Sequence, residues 1–92
     1  MINFKFSSKK ICCTAIAAGR LVESGQDPWF FLAKHFSGDW GEVGGEDWKT
    51  NEQALKDGDR LFSVYTTLKN EKIYVITEAD RSLTTMMLWD EY

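Results

Sequence analysis

Two adjacent cysteines, one proline and one histidine are all that this 92-residue chain holds of the residues that cross-link, kink or ligate most readily. Cys12 and Cys13 point to opposite faces if their segment is a strand, and neighbours of this kind rarely form a disulfide. They are expected as buried free thiols. With no CxxC spacing and a single imidazole, a zinc site has almost no ligands to draw on. No run approaches the roughly 20 apolar residues of a membrane span. The opening stretch MINFKFSSKKICCTAIAAGRL sets polar and charged residues ahead of an interrupted apolar run, so the sequence predicts a cytoplasmic protein without membrane contact. Also missing are a glycine-rich turn for a nucleotide, a nucleophile-elbow sequence at Ser63 or Ser82, and any Ser, His and acid arrangement. No catalytic residue, no metal and no cofactor is therefore expected.

What the chain does have is apolar and aromatic mass. A content of 43% hydrophobic residues, with four Trp, six Phe and three Tyr, suits one small dense core, because each buried aromatic removes about 150–250 Å² from water. Residues 1–92 are expected to form one domain, since a chain this short has no room for a second core.

Positive charge is scarce in one place. Between Asp39 and Asp59 stand seven acids (Asp39, Glu42, Glu46, Asp47, Glu52, Asp57 and Asp59) against Lys49 and Lys56, a local net charge of −5 where the whole chain carries −3. The remainder is therefore net positive. An acidic band of this kind repels phosphate backbones and suits a basic protein surface. Trp40 and Trp48 flank it and are candidate apolar anchors. A solvated acidic helix face is the plainer reading of the same residues. His35, Asp39 and Glu42, with Glu46 or Asp47, also supply imidazole and carboxylate ligands of the types a divalent metal accepts. Their spacing matches no established ligand pattern, and His35 at a helix end has the simpler role of meeting free carbonyls.

Along the chain, Ile2 to Phe6 alternates with the period of a strand, and Lys10 to Cys13 reads as another. Thr14 is placed to cap a helix that Gly25 would close. Asp27-Pro28 marks a second helix start, with Trp29, Leu32, Ala33 and Phe36 on one face and Gly38 at the end. A third helix is expected from about Glu46 to Asp57, closed by Gly58, with Trp48, Asn51 and Leu55 on its inner stripe. An asparagine there is either bonded inside the fold or reaching outward. From Arg60 on, three β-rich runs separated by Lys69-Asn70-Glu71 and Ala79-Asp80-Arg81-Ser82 predict an antiparallel meander. Phe62, Val64, Tyr74, Ile76, Met86 and Leu88 are assigned to one face, and Leu61, Tyr65, Val75, Leu83 and Met87 to the other. The turn from Glu78 to Ser82 is expected to close on a carboxylate–guanidinium pair involving Arg81, with anion binding by Arg81 as the functional alternative.

Several of these pieces together resemble a family of small bacterial proteins carried on plasmids and other mobile elements, often labelled "plasmid-related protein". They are GRLV at 19–22, FLAKHFSGDWGE at 31–42, Asp47 with Asn51-x-x-Ala54-Leu55, Gly58-x-Arg60-Leu61-x-Ser63-x-Tyr65, VITEADRS at 75–82 with Thr84-Thr85, and the ending Glu91-Tyr92. The chain departs from the family at Trp89, where a proline is usual, and at Met86-Met87, where Ile-Leu is common. The family brings no activity with it. Some relatives carry a restriction-modification methylation label, but 92 residues have no room for the cofactor-binding fold that label requires.

The resulting expectation is an α+β fold, with an N-terminal strand and two to three short helices followed by a three-stranded antiparallel meander. Its expected role is that of a non-enzymatic inhibitor from a mobile element, anti-CRISPR or antirestriction. It would bind a nucleic-acid-handling defence complex, without touching nucleic acid itself, through Asp39, Trp40, Glu42, Glu46, Asp47, Trp48 and Glu52. The alternatives are a small metal-dependent enzyme centred on His35 and Asp39, and an accessory subunit that dimerises through its sheet. The molecule is expected as a monomer or homodimer.

Overall fold

Local signals place most of the elements. A computed structural model describes residues 4–92. After a short strand β1 (Ile11–Cys13), the Thr14 hydroxyl accepts the Ala17 amide (3.1 Å) and starts α1 (Ala15–Ser24), which Gly25 ends in the left-handed region. Asp27 caps α2 (Pro28–Phe36) by accepting the Trp29 amide at 2.8 Å, with Pro28 in the first turn. Helix α3 (Gly45–Asp57) ends at Gly58, and the meander follows as β2 (Leu61–Thr66), β3 (Lys72–Thr77) and β4 (Thr84–Leu88). A 3₁₀ turn, Trp89–Glu91, closes the chain. The class is α+β, as expected.

The sheet is larger than a meander. Its order is β1-β4-β3-β2, with β1 parallel to β4 and the other pairs antiparallel, so it is mixed and four-stranded. The expected strand over Ile2 to Phe6 lies partly outside the described residues. From Phe4 to Phe6 the backbone is irregular, and Lys5 donates its amide to the Phe36 carbonyl at 2.7 Å instead of to a strand.

Face assignment needs one correction. Val75 stands opposite Met86 and Ile73 opposite Leu88, so Met86 and Leu88 share the covered face with Leu61, Tyr65 and Val75. Met87 lies opposite Tyr74 on the other face, with Phe62 and Val64. A one-residue phase difference between β3 and β4 moves every β4 side chain to the opposite face. Helices α1 and α2 cover the first face, where Ala17, Leu21, Phe31, Leu32 and Phe36 meet Tyr65, Ile73, Val75, Met86 and Leu88 in the main core. Phe36 is core, as expected, but Trp29 is 47% exposed, because α2 turns Phe31, Leu32, His35 and Phe36 inward and leaves Trp29 at the margin. Cys12 and Cys13 point to opposite faces and are only half-buried. Burial, and secondarily Glu91, holds the Cys13 thiol above its ordinary pKa.

The two edges of the sheet differ. On β2, the Asn51 amide donates to the Phe62 carbonyl (2.7 Å) and its oxygen accepts the Phe62 amide (3.1 Å), as a neighbouring strand would. Two residues on, Val64 donates to the Trp40 carbonyl (3.1 Å) and accepts from the Glu42 amide (2.7 Å). Asn51 is thus bonded inside the fold, and the outward side of β2 is closed at Phe62 and Val64. Gly41 makes this approach possible, since a Cβ there would lie 2.0 Å from the Val64 carbonyl oxygen.

Candidate functional site

Helix α3 sets the geometry of the acidic surface. Asn51 and Ala54 are its buried positions, so the helix lies against the β2 edge and sends Glu46, Asp47, Glu52 and Asp57 outward. Glu46 and Asp47 occupy its first turn, where the free amides favour negative charge. The loop before the helix adds Asp39 and Glu42, the loop after it Asp59, and all seven carboxylates of the segment are exposed. The ion pairs among the described residues, Arg20 with Glu71 and Arg60 with Glu78, involve none of them. Asp39 accepts the Gly41 amide at 3.1 Å and Asp57 accepts from Gln53. Among the described residues, the negative charge of the band is therefore left without a salt-bridge partner.

The two tryptophans fare differently. Trp40 is completely buried, and its indole N–H donates to Glu52 Oε1 at 3.1 Å, so it is not available as a contact residue. It packs with Ala54 and Leu61 in a second core under α3, beside Phe6 and His35. The GDWG stretch reads locally as a turn, yet its backbone bridges to β2 and that directs the indole inward. Trp48 is half-buried against the same cluster and keeps part of its surface at the band. Glu52 has a double character, exposed at one side and holding Trp40 at the other.

His35 does not join Asp39. It is fully buried, its Nδ1 lies 2.6 Å from the Ser63 hydroxyl and its Nε2 2.8 Å from that of Thr77, which in turn lies 2.7 Å from the Thr84 hydroxyl. Burial first, and the nearby Arg81 charge second, lower its pKa to about 3, so the ring is neutral at physiological pH. Both ring nitrogens are occupied, and among the described residues no three His, Cys, Asp or Glu side chains gather around a point that a metal would fill. The structure thus does not bring His35 and Asp39 together as the metal-centred alternative expects. The helix-end role for His35 is corrected as well, since the ring faces the sheet. Its spacing of four from Phe31 and three from Leu32 was the available signal that it points inward.

Arg81 keeps a structural role with different partners. Its guanidinium donates to the carbonyls of Asp59 (2.6 Å), Ala54 (3.1 Å), Glu78 (3.2 Å) and Ala79 (3.2 Å), and sits 5.6 Å from the Phe6 ring. The expected carboxylate pair is replaced by a clamp that ties the β3–β4 turn to the end of α3. Glu78 faces Arg60 at 3.7 Å, and the Asp80 carboxylate accepts the Ser82 amide. Beside the acidic helix, a cleft of about 320 Å³ is lined by Asp47, Thr50, Asn51, Arg60, Phe62 and Tyr92. Sequence reasoning missed it, because its walls come from three distant segments.

Comparison with family models, with curated proteins and with solved structures finds no match for this chain. No helix among the described residues is long and apolar enough to cross a membrane.

Proposed function

We propose that this chain is a non-enzymatic inhibitor that binds a protein through its acidic surface and occupies a basic, nucleic-acid-binding groove of that target. The observation that carries the reading is the set of seven exposed carboxylates between Asp39 and Asp59 with no ion-pair partner among the described residues. Charges left uncompensated within a fold are available to steer and hold an oppositely charged partner. Asp39, Glu42, Glu46, Asp47 and Glu52 form the contact surface, with Trp48 as its apolar element. The resemblance to plasmid-borne proteins supports a host defence complex as the target, in an anti-CRISPR or antirestriction role.

The test is a pull-down from host lysate with the wild-type chain and with a Glu42→Lys, Glu46→Lys, Asp47→Lys triple variant. Glu52 is left in place because it holds Trp40. The wild type should capture a nucleic-acid-binding defence complex in a salt-sensitive manner, and the triple variant should lose it while keeping its circular dichroism spectrum. Undiminished capture by the triple variant would reduce the band to a solubilising face. A second reading, a subunit that dimerises through its sheet, is favoured by the face turned away from α1 and α2, which carries Phe62, Val64, Tyr74 and Met87 with Tyr92 packed on Phe62 and Tyr74, and light scattering tests it.

A further inference from the structure

The sheet closes one edge with care and leaves the other unlike it. β2 has its outward groups at Phe62 and Val64 satisfied by Asn51 and by the Trp40–Glu42 segment. At β1, the Lys10 carbonyl and the Thr14 amide are bonded to β4, and strand alternation turns the amides and carbonyls of Ile11 and Cys13 the opposite way. Among the described residues, no hydrogen bond reaches them from that side. Next to this edge lies an apolar groove of about 150 Å³, walled by Phe4, Phe6, Ile11, Trp29 and Phe36 with Ser7 and Ser8 at its rim. Ile11 faces the helix side of the sheet, as its pairing with Thr84 requires, so a strand added beyond β1 would direct its same-face side chains toward this groove.

We propose that the β1 edge and this groove bind an extended, acidic segment of a partner protein as a fifth strand, with one medium-sized apolar side chain seated between Phe4, Ile11 and Trp29. Strand addition draws affinity from main-chain hydrogen bonds and specificity from pockets for alternate side chains, and both parts are present here. The acidic character follows from charge. Residues 4–13 contain Lys5, Lys9 and Lys10 and no carboxylate, all three lysines are exposed, and the carboxylates that reach this edge from elsewhere are Asp80 beside Lys9 and Glu91, which accepts the Thr14 hydroxyl, so cations outnumber anions there. A peptide is favoured because Ile11 and Cys13 present amides and carbonyls at strand spacing, which an extended backbone matches with its own donors and acceptors, whereas phosphate groups offer acceptors only. Phe4, Ile11 and Trp29 are 49%, 42% and 47% exposed, so the seat is open at the surface. None of the α3 carboxylates takes part, and the site stands or falls independently of the acidic surface.

The experiment titrates the full chain with a fluorescein-labelled peptide library in which Glu or Asp alternates with Leu or Val, followed by fluorescence anisotropy and amide exchange. Saturable binding that weakens with salt, with slowed exchange at Ile11 and Cys13, is the expected result. Ile11→Pro removes an outward donor without breaking a bond to β4, and should weaken binding roughly tenfold or more at an unchanged melting temperature. Lys9→Glu with Lys10→Glu should weaken it comparably and serves if the proline variant folds poorly. Backbone N-methylated peptides should not bind. The proposal is overturned by absence of binding up to about 1 mM peptide, by equal binding of the N-methylated set, or by equal affinity for a Lys-alternating library. Capture of a single-stranded oligonucleotide or of anionic vesicles in place of the peptides would also overturn it.

Discussion

Mild acid should destabilise this protein through His35 alone. The ring is fully buried between two hydroxyls, and its pKa falls from an ordinary 6.5 to about 3. The unfolded chain therefore takes up a proton near pH 6.5 that the folded chain refuses until near pH 3. Stability rises with pH wherever the unfolded state binds more protons, so the contribution is complete above pH 6.5 and is lost progressively as the pH drops toward 3. Between pH 7 and pH 5 the loss comes to about 2 kcal/mol, at about 1.4 kcal/mol per unit below the unfolded pKa. His35 is the only histidine in the chain. Urea denaturation at pH 7, 6 and 5 reads the slope directly. A His35→Gln variant, whose amide offers both donor and acceptor but does not titrate, should be less stable at pH 7 but nearly flat over the same window. Equal slopes in the two proteins would refute the argument, as would an imidazole that titrates near pH 6 by NMR in the folded state.

Asn51→Leu should cost about 2–3 kcal/mol by chemical denaturation, because the Phe62 amide and carbonyl both lose their partner at a half-buried edge. An unchanged midpoint would mean that water replaces the side chain fully. Arg81→Ala should cost about 1.5–3 kcal/mol, more than an exposed ion pair, since a charged donor leaves four carbonyls. Arg81 also has a φ of 63°, so Arg81→Gly should recover about 1 kcal/mol relative to Arg81→Ala, and the reverse order by thermal melting would contradict this account. Trp29→Ala should cost well under the roughly 3–5 kcal/mol of a core tryptophan, and a loss in that range would place Trp29 in the core after all.

The helix boundaries were legible because each rests on a local rule. Thr14 and Gly25, Asp27 with Pro28, and Gly58 act through bonds to residues no more than four positions away. The meander was legible for the same reason, with Asn70 adopting the left-handed conformation that its turn needs (φ 65°). The acidic surface was also readable, as Glu46, Asp47 and Glu52 lie on the outward positions of an amphipathic helix. What failed depends on distant partners. The strand over Lys10 to Cys13 is present as β1, but its parallel pairing with β4, some seventy positions away, is a contact that no local pattern encodes. The exchange of Met86 and Met87 follows from the connection 78–83, which pairs Thr77 with Thr84 and so sets odd-numbered β3 residues opposite even-numbered β4 residues. Trp40 was misjudged because a turn-like tetrapeptide gives no hint that its neighbours bond to β2. His35 was misjudged because Ser63, Thr77 and Thr84 become its partners only when the strands stand side by side.

Closure of the β2 edge limits how this molecule can grow. A sheet with two open edges can pass hydrogen bonding from one copy to the next without end, which is the route to fibres. Here Asn51 and the Trp40–Glu42 bridge bar one direction, so a strand arriving at β1 meets a sheet that cannot be extended on its far side. Association by edge pairing is therefore terminal. Pairing at β1 alone would give one guest strand per molecule, or a closed two-fold pair joined β1 to β1.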